Sequence, residues 1–160
     1  MINTSKVSRS VLIVIIAISF SFLQFQSLST VQASQSPSQQ AVALLNKDRV
    51  QNGLEPLAYN QELTSLAEYY ALDMMGRNFF AHNDPEGLTP FDRMQKRGIT
   101  YRYAGENLAL NDTIEGAQAA FMNSSTHRAN VLNPNFTSVG IGVKYAANGK
   151  VYVVQEFIGQ

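Results

Sequence analysis

The sequence predicts an α+β domain in which clustered helices are followed by an antiparallel hairpin. Two periodicities carry that prediction. In the middle of the chain, Leu63, Leu66, Ala67, Tyr70 and Met74 recur at three- and four-residue steps, the stripe of an amphipathic helix. From Thr137 onward the period falls to two. Val139, Ile141, Val143 and Tyr145 alternate with small or polar residues, and so do Val151, Val153 and Phe157 beyond Asn148-Gly149. Helices first and strands after is not the βαβ alternation of a nucleotide-binding sheet.

In chain order, the N-terminus comes first. Lys6 and Arg9 precede an apolar run over residues 11–25, and Val31-Gln32-Ala33 supplies small residues at a peptidase exit. A basic start, a short apolar run and a small-residue exit are the parts of a secretory signal, expected to span residues 1–33. The competing expectation is a retained membrane anchor, which would want about 20 apolar residues without polar interruptions. Removal of residues 1–33 takes away Lys6 and Arg9 from the 12 basic side chains and none of the 12 acidic ones, leaving a net charge of −2. The destination is then the cell envelope or the medium.

Residues 34–39 are polar and contain a proline, and are expected to be a linker ahead of a single domain over residues 40–160. A first helix is predicted over 39–51, with Val42, Leu45 and Arg49 in line and Asn52-Gly53 as its stop. The second, over 60–77, carries the stripe named above. Thr89-Pro90-Phe91-Asp92 opens a short third helix with a cap, a first-turn proline and a capping-box acid, and Gly98 closes it. Asp112 and Glu115 are expected to open a fourth that runs to about residue 123. A short strand is expected near 104–109, and Asn148-Gly149 marks the hairpin.

Composition excludes whole classes. The chain has 160 residues, 45% of them apolar, equal numbers of acidic and basic side chains, and no cysteine. One domain fits that length, and disorder does not fit that apolar share. No basic run marks a nucleic-acid partner. Disulfides, a thiolate nucleophile and a cysteine zinc site are impossible. Export without cysteine is more typical of a bacterial protein than of a small disulfide-dense eukaryotic one.

Chemistry is confined to a few positions. The only two histidines, His82 and His127, stand in turn-rich boundaries, and Glu106 is an acid inside an apolar segment where a carboxylate needs a partner. Their separations of 24 and 21 residues match no local metal motif. Taken alone, each histidine would be read as a capping or hydrogen-bonding group in a turn. Tyr59, Tyr69, Tyr70, Tyr101 and Tyr103 read as core and cleft rim, and Arg93, Lys96, Arg97 and Arg102 as a solvated helix face with its exit.

Five segments in order alter the weight of these residues: Leu45-Asn46-Lys47-Asp48-Arg49 with Gly53-Leu54-Glu55-Pro56-Leu57, Phe80-Ala81-His82, Gly105-Glu106-Asn107-Leu108, His127-Arg128-Ala129-Asn130-Val131-Leu132, and Val139-Gly140-Ile141-Gly142-Val143. Together they resemble the CAP superfamily (cysteine-rich secretory, antigen 5 and pathogenesis-related-1 proteins; the SCP domain), and within it the cysteine-free bacterial branch. The resemblance spans about residues 41–159. It implies a three-layer α-β-α sandwich around a small, mostly antiparallel sheet, with His82, Glu106 and His127 converging in an open cleft and Asn107 and Ser124 at its edge.

Many members complete a tetrad with a second glutamate shortly before the last histidine. Here the corresponding run is Phe121-Met122-Asn123-Ser124, and Ser124 stands at the acid position. His82, Glu106 and His127 could still form a three-ligand shell for a divalent cation such as zinc, with a position left for water. No obvious general base remains to activate that water. The expected function is therefore a binding module for a ligand, a lipid or envelope component among the candidates, with no cofactor required. The alternative is a hydrolase using the same three residues, with metal or with Ser124 or Ser125 as nucleophile, although no G-x-S-x-G elbow is present.

Overall fold

The computed structural model describes residues 35–160, so the N-terminal basic–apolar segment lies outside the described residues. Helix α1 spans Pro37–Gln51, β1 Ala58–Tyr59, α2 Gln61–Arg77 and α3 Pro90–Lys96. Strand β2 spans Tyr103–Asn111, followed by α4 Ile114–Asn123, α5 Ser125–Val131, β3 Ser138–Tyr145 and β4 Val151–Gly159. The strands form one sheet in the order β1-β3-β4-β2. β1 runs parallel to β3, and the other pairs are antiparallel. Among the described residues no helix is long and apolar enough to cross a membrane.

The sheet is covered on both faces. Val139, Ile141, Val143, Val151, Val153 and Phe157 point to one side and pack against Val42 and Leu45 of α1, Phe121 of α4 and Val131 of α5. Leu108 and Val154 pack on the other side against Ala67, Tyr70 and Met74 of α2, and Ile158 meets Leu63, Leu66 and Met94. That is the expected three-layer sandwich, and it explains why residues on both faces of β3 and β4 are buried. The alternating glycines of β3 face α2. A Cβ on Gly140 would overlap the Thr64 backbone nitrogen, and one on Gly142 the Ala67 carbonyl, so α2 lies closer to the strand than any side chain would permit.

Local chemistry moves several expected boundaries. The polar 34–39 segment is not all linker. Ser36 and Gln39 form a reciprocal capping box with Pro37 in the first turn, so α1 starts two residues before its predicted position. The cap of α4 is Thr113, which accepts from the Gly116 N–H, whereas Asp112 is bonded to Lys150 at 2.7 Å. His127, expected in a turn-rich boundary, sits instead on the separate short helix α5. Strand β2 is nine residues long, beyond the short stretch expected, and β1 was not expected at all. The hairpin turns through Ala147, Asn148 and Gly149, with Gly149 at φ 82°, and not through a two-residue Asn-Gly loop.

Candidate functional site

The site lies along β2, the terminal strand on one side of the sheet, where the segment after α2 and the helix α5 both reach the strand. Its centre is Glu106, whose carboxyl group is 1% exposed. One oxygen of Glu106 accepts from Arg93 Nη2 at 2.5 Å, and the other is 2.7 Å from His82 Nδ1. A carboxylate only accepts, so this bond places the His82 proton on Nδ1. The imidazole itself is 52% exposed, and its far edge is turned toward solvent.

The loop carrying His82 is shaped from both ends. Asn78 stops α2 in the left-handed conformation at φ 55°, and Asp84 accepts the Leu88 N–H at 2.8 Å. The Tyr70 hydroxyl donates to the carbonyls of Ala81 and His82, at 2.6 and 3.0 Å. Arg93 Nη1 donates to the carbonyls of His82 and Leu88, at 2.9 and 3.1 Å. The same guanidinium stacks 3.4 Å from the centre of the Tyr70 ring. Arg93 is thus the hub of the site and is buried, which corrects its expected place on a solvated helix face.

On the other side, α5 is tied to the strand by amides. Asn130 Nδ2 donates to the Glu106 carbonyl and to Asn107 Oδ1, at 3.2 and 2.9 Å. Gly105 leaves the room this needs, since a Cβ there would lie 3.2 Å from Asn130 Oδ1. Asn107 donates to the His127 carbonyl at 3.1 Å and to Gln155 at 3.0 Å. Gln155 donates on to Gln118, and Gln118 to Asp48 of α1. Asn107 is therefore a fully buried node in an amide chain on the α1/α4/α5 face, and not a residue of the cleft edge.

His127 sets its ring edge-on to Phe121, with centroids 5.4 Å apart. Burial lowers its pKa, and the positive charge of His82 lowers it further. His82 is shifted the other way, raised chiefly by its hydrogen bond to Glu106 against the opposing effect of burial. The two rings are therefore shifted in opposite directions, His82 toward the imidazolium and His127 toward the neutral form. The hollow beside His82, about 350 Å³, is lined by Asn83, Thr89, Phe91, Glu106 and Asn130 among others, with His127 outside that lining. Ser124 is the half-buried residue before α5 and makes no side-chain cap bond.

The expected three-ligand metal shell would draw on His82, Glu106 and His127. Among the described residues no group of three or more His, Asp or Glu side chains is placed to hold a metal ion. The reason is local: both oxygens of Glu106 are engaged, one by a guanidinium that a cation would have to displace. Nor does any hydroxyl among the described residues hydrogen-bond either imidazole, so the serine arrangement lacks its first contact.

Glu156 was missed by the sequence reading. It is the direct cross-strand partner of Glu106, wholly buried, and neither of its carboxyl oxygens has a hydrogen-bond partner. Burial, with the adjacent Glu106 charge adding to it, raises its pKa well above the usual carboxylate range, while Arg93, 4.0 Å away, opposes the shift. A signal existed: Glu156 stands between Val154 and Ile158 on one apolar face of an alternating strand, the same anomaly that singled out Glu106.

Residues 42–157 match the CAP family, described as the cysteine-rich secretory protein family. An uncharacterised protein of Bacillus subtilis, YkwD, is 42% identical over 120 residues, covering 74% of this chain and 46% of its own length. An uncharacterised membrane protein of the same organism, YlbC, is 32% identical over 74% of this chain and 33% of its own length. The chain thus spans less than half of the curated relatives it matches. An extracellular protein of Bacillus anthracis containing an SCP domain superposes with a TM-score of 0.69 at 33% identity, over 78% of this chain and 40% of that one. A family match over most of the chain, with relatives this similar in sequence and fold, means that the chain belongs to the cysteine-rich secretory protein family.

Proposed function

We propose that the chain is exported and acts as a binding module, with the hollow beside His82 orienting a polar group of its ligand. The observation that supports this best is the complete engagement of Glu106 by Arg93 and His82. A carboxylate held this way aims and charges an imidazole; it is not free to activate water or to ligate a cation. His82 then offers a charge-assisted donor at the mouth of the hollow. Phe91, exposed beside it, adds an apolar surface. Export rests on the basic, apolar and small-residue pattern of residues 1–33 and on the extracellular character of the Bacillus anthracis relative.

The first test is retention of the protein on lipid vesicles and on purified cell-wall material, beside His82→Ala and His127→Ala. Retention on one matrix, weakened about tenfold by His82→Ala, is the expected outcome, a loss of one charge-assisted hydrogen bond. Turnover of a peptide, ester or glycan substrate abolished by the same variant would overturn the binding reading in favour of a hydrolase. Calorimetric titration with Zn²⁺ addresses the metal directly: a micromolar site lost in both histidine variants would restore it. A mature N-terminus at Ser34 in the medium is the expected mark of export.

A further inference from the structure

We propose that a second groove, between α2, α3 and the segment over residues 84–88, binds a short peptide carrying both a free ammonium and a free carboxylate. The groove holds about 320 Å³, within the ordinary range for a small-ligand site. It has no lining residue in common with the hollow beside His82, although Tyr70, Asp84, Leu88 and Arg93, which shape the histidine site, also line it.

Its two ends carry opposite charge. At one end, Asp73, Asp84 and Glu86 face a single cation, Arg77. Arg77 is committed to Glu86 by two bonds of 2.6 and 2.8 Å and reaches Asp73 only at 3.4 Å. Asp84 accepts one backbone N–H. That end therefore keeps an excess of negative charge, which suits an ammonium. At the other end stand Lys96 and Arg97, both exposed and neither in an ion pair among the described residues, with Arg97 5.6 Å over the Tyr69 ring. Two unpaired cations beside an aromatic face suit a carboxylate.

Between the ends, Arg93 forms part of the groove, and its Nε–H is buried without a partner. Orphaned buried donors are rare because they forfeit their hydration, and a ligand carbonyl would satisfy this one. The dimensions agree. From Tyr69 to Arg77 is eight residues of α2, a rise of about 12 Å. An extended chain of three to four residues spans about 10–14 Å. A purely anionic polymer would meet the acidic end, and a polyamine would meet Lys96 and Arg97. A short dipolar peptide meets neither conflict.

The test is calorimetric titration of the full chain with tri-alanine, its C-terminal amide and its N-acetyl form. Tri-alanine is expected to bind, with each blocked form at least tenfold weaker. Lys96→Ala/Arg97→Ala, at exposed positions where folding is not at risk, is expected to abolish the preference for the free carboxylate. Asp73→Asn is expected to weaken the preference for the free amine, and His82→Ala to leave binding unchanged. No binding at millimolar peptide, equal affinity for the three forms, or binding lost in His82→Ala but kept in Lys96→Ala/Arg97→Ala would each overturn the proposal.

Discussion

Replacing Arg93 with methionine keeps most of the side-chain volume and removes the charge, so it isolates what the guanidinium does. Among the described residues Arg93 is the only cation that reaches both buried carboxyl groups, pairing with Glu106 at 2.5 Å and lying 4.0 Å from Glu156. It also supplies donors to the His82 and Leu88 carbonyls. Removing one partner of a buried pair leaves an uncompensated charge and costs about 3–5 kcal/mol. Domains of this kind have about 5–15 kcal/mol in total, so the variant should unfold at a far lower urea concentration. The assay is urea denaturation at pH 7 for the wild type, Arg93→Met, Glu106→Gln and the double variant. If the cost comes from a stranded carboxylate, the double variant should recover about 2 kcal/mol relative to the sum of the singles. A loss below about 1 kcal/mol in Arg93→Met, the level of a surface pair, would refute the reasoning. So would strict additivity in the double variant.

The two histidine resonances should titrate apart, His82 above and His127 below the ordinary value of about 6.5. Proton NMR of the ring C–H signals checks this, and Glu106→Gln should bring His82 down; coincident titration would contradict the geometry. Because the His82 pKa is raised, its stabilising contribution is complete below about pH 6.5 and fades as pH rises through the folded value. That of His127 is present above about pH 6.5 and is lost as pH falls. Glu156 has a raised pKa, so its protonated form supports the fold below about pH 4.3 and stability declines as pH rises through the folded value. Glu156→Gln should flatten that decline in urea midpoints taken from pH 4 to 8, and an unchanged slope would reject a neutral Glu156. Gly142→Ala drives a Cβ into the Ala67 backbone and should cost about 1–3 kcal/mol by thermal melting. Gly149→Ala meets open space at φ 82° and should cost only about 1 kcal/mol.

Where a sequence feature acts through its own neighbours, it could be read directly. The Leu63-to-Met74 stripe, the Thr89/Asp92 box and the alternation of β3 all became the elements they indicate. Errors fell where two local devices competed or where pairing was remote. Asp112 and Thr113 are both competent caps, and the choice went to Thr113 because Asp112 is engaged by Lys150, 38 residues away. Ser36-x-x-Gln39 is a complete capping signal that the surrounding polar residues obscured. β1 has two residues and exists only through its pairing with Ser138 and Val139, so no local pattern announces it.

The same distinction divides the site. Glu106 and the two histidines stand out because each is chemically anomalous in its own segment. The resemblance implies Asn107 at the cleft edge, yet consecutive strand residues point to opposite faces, and period two sets it on the face opposite Glu106. That correction was available from the sequence. Arg93 was not. Its position three residues before Lys96 and four before Arg97 is what a solvated basic face looks like on a helix. What draws it inward is the coincidence of the Tyr70 ring on α2, two carbonyls of the following loop, and two carboxyl groups from β2 and β4. None of these partners is within four residues of Arg93 except through folding. A charge buried by remote partners is therefore invisible to periodicity, and an unpaired acid in an apolar strand is the sign that such a charge must exist somewhere. Glu106 called for a partner, for which a histidine is the natural candidate in the sequence; His82 takes one oxygen, and the other goes to Arg93, which no local pattern announces.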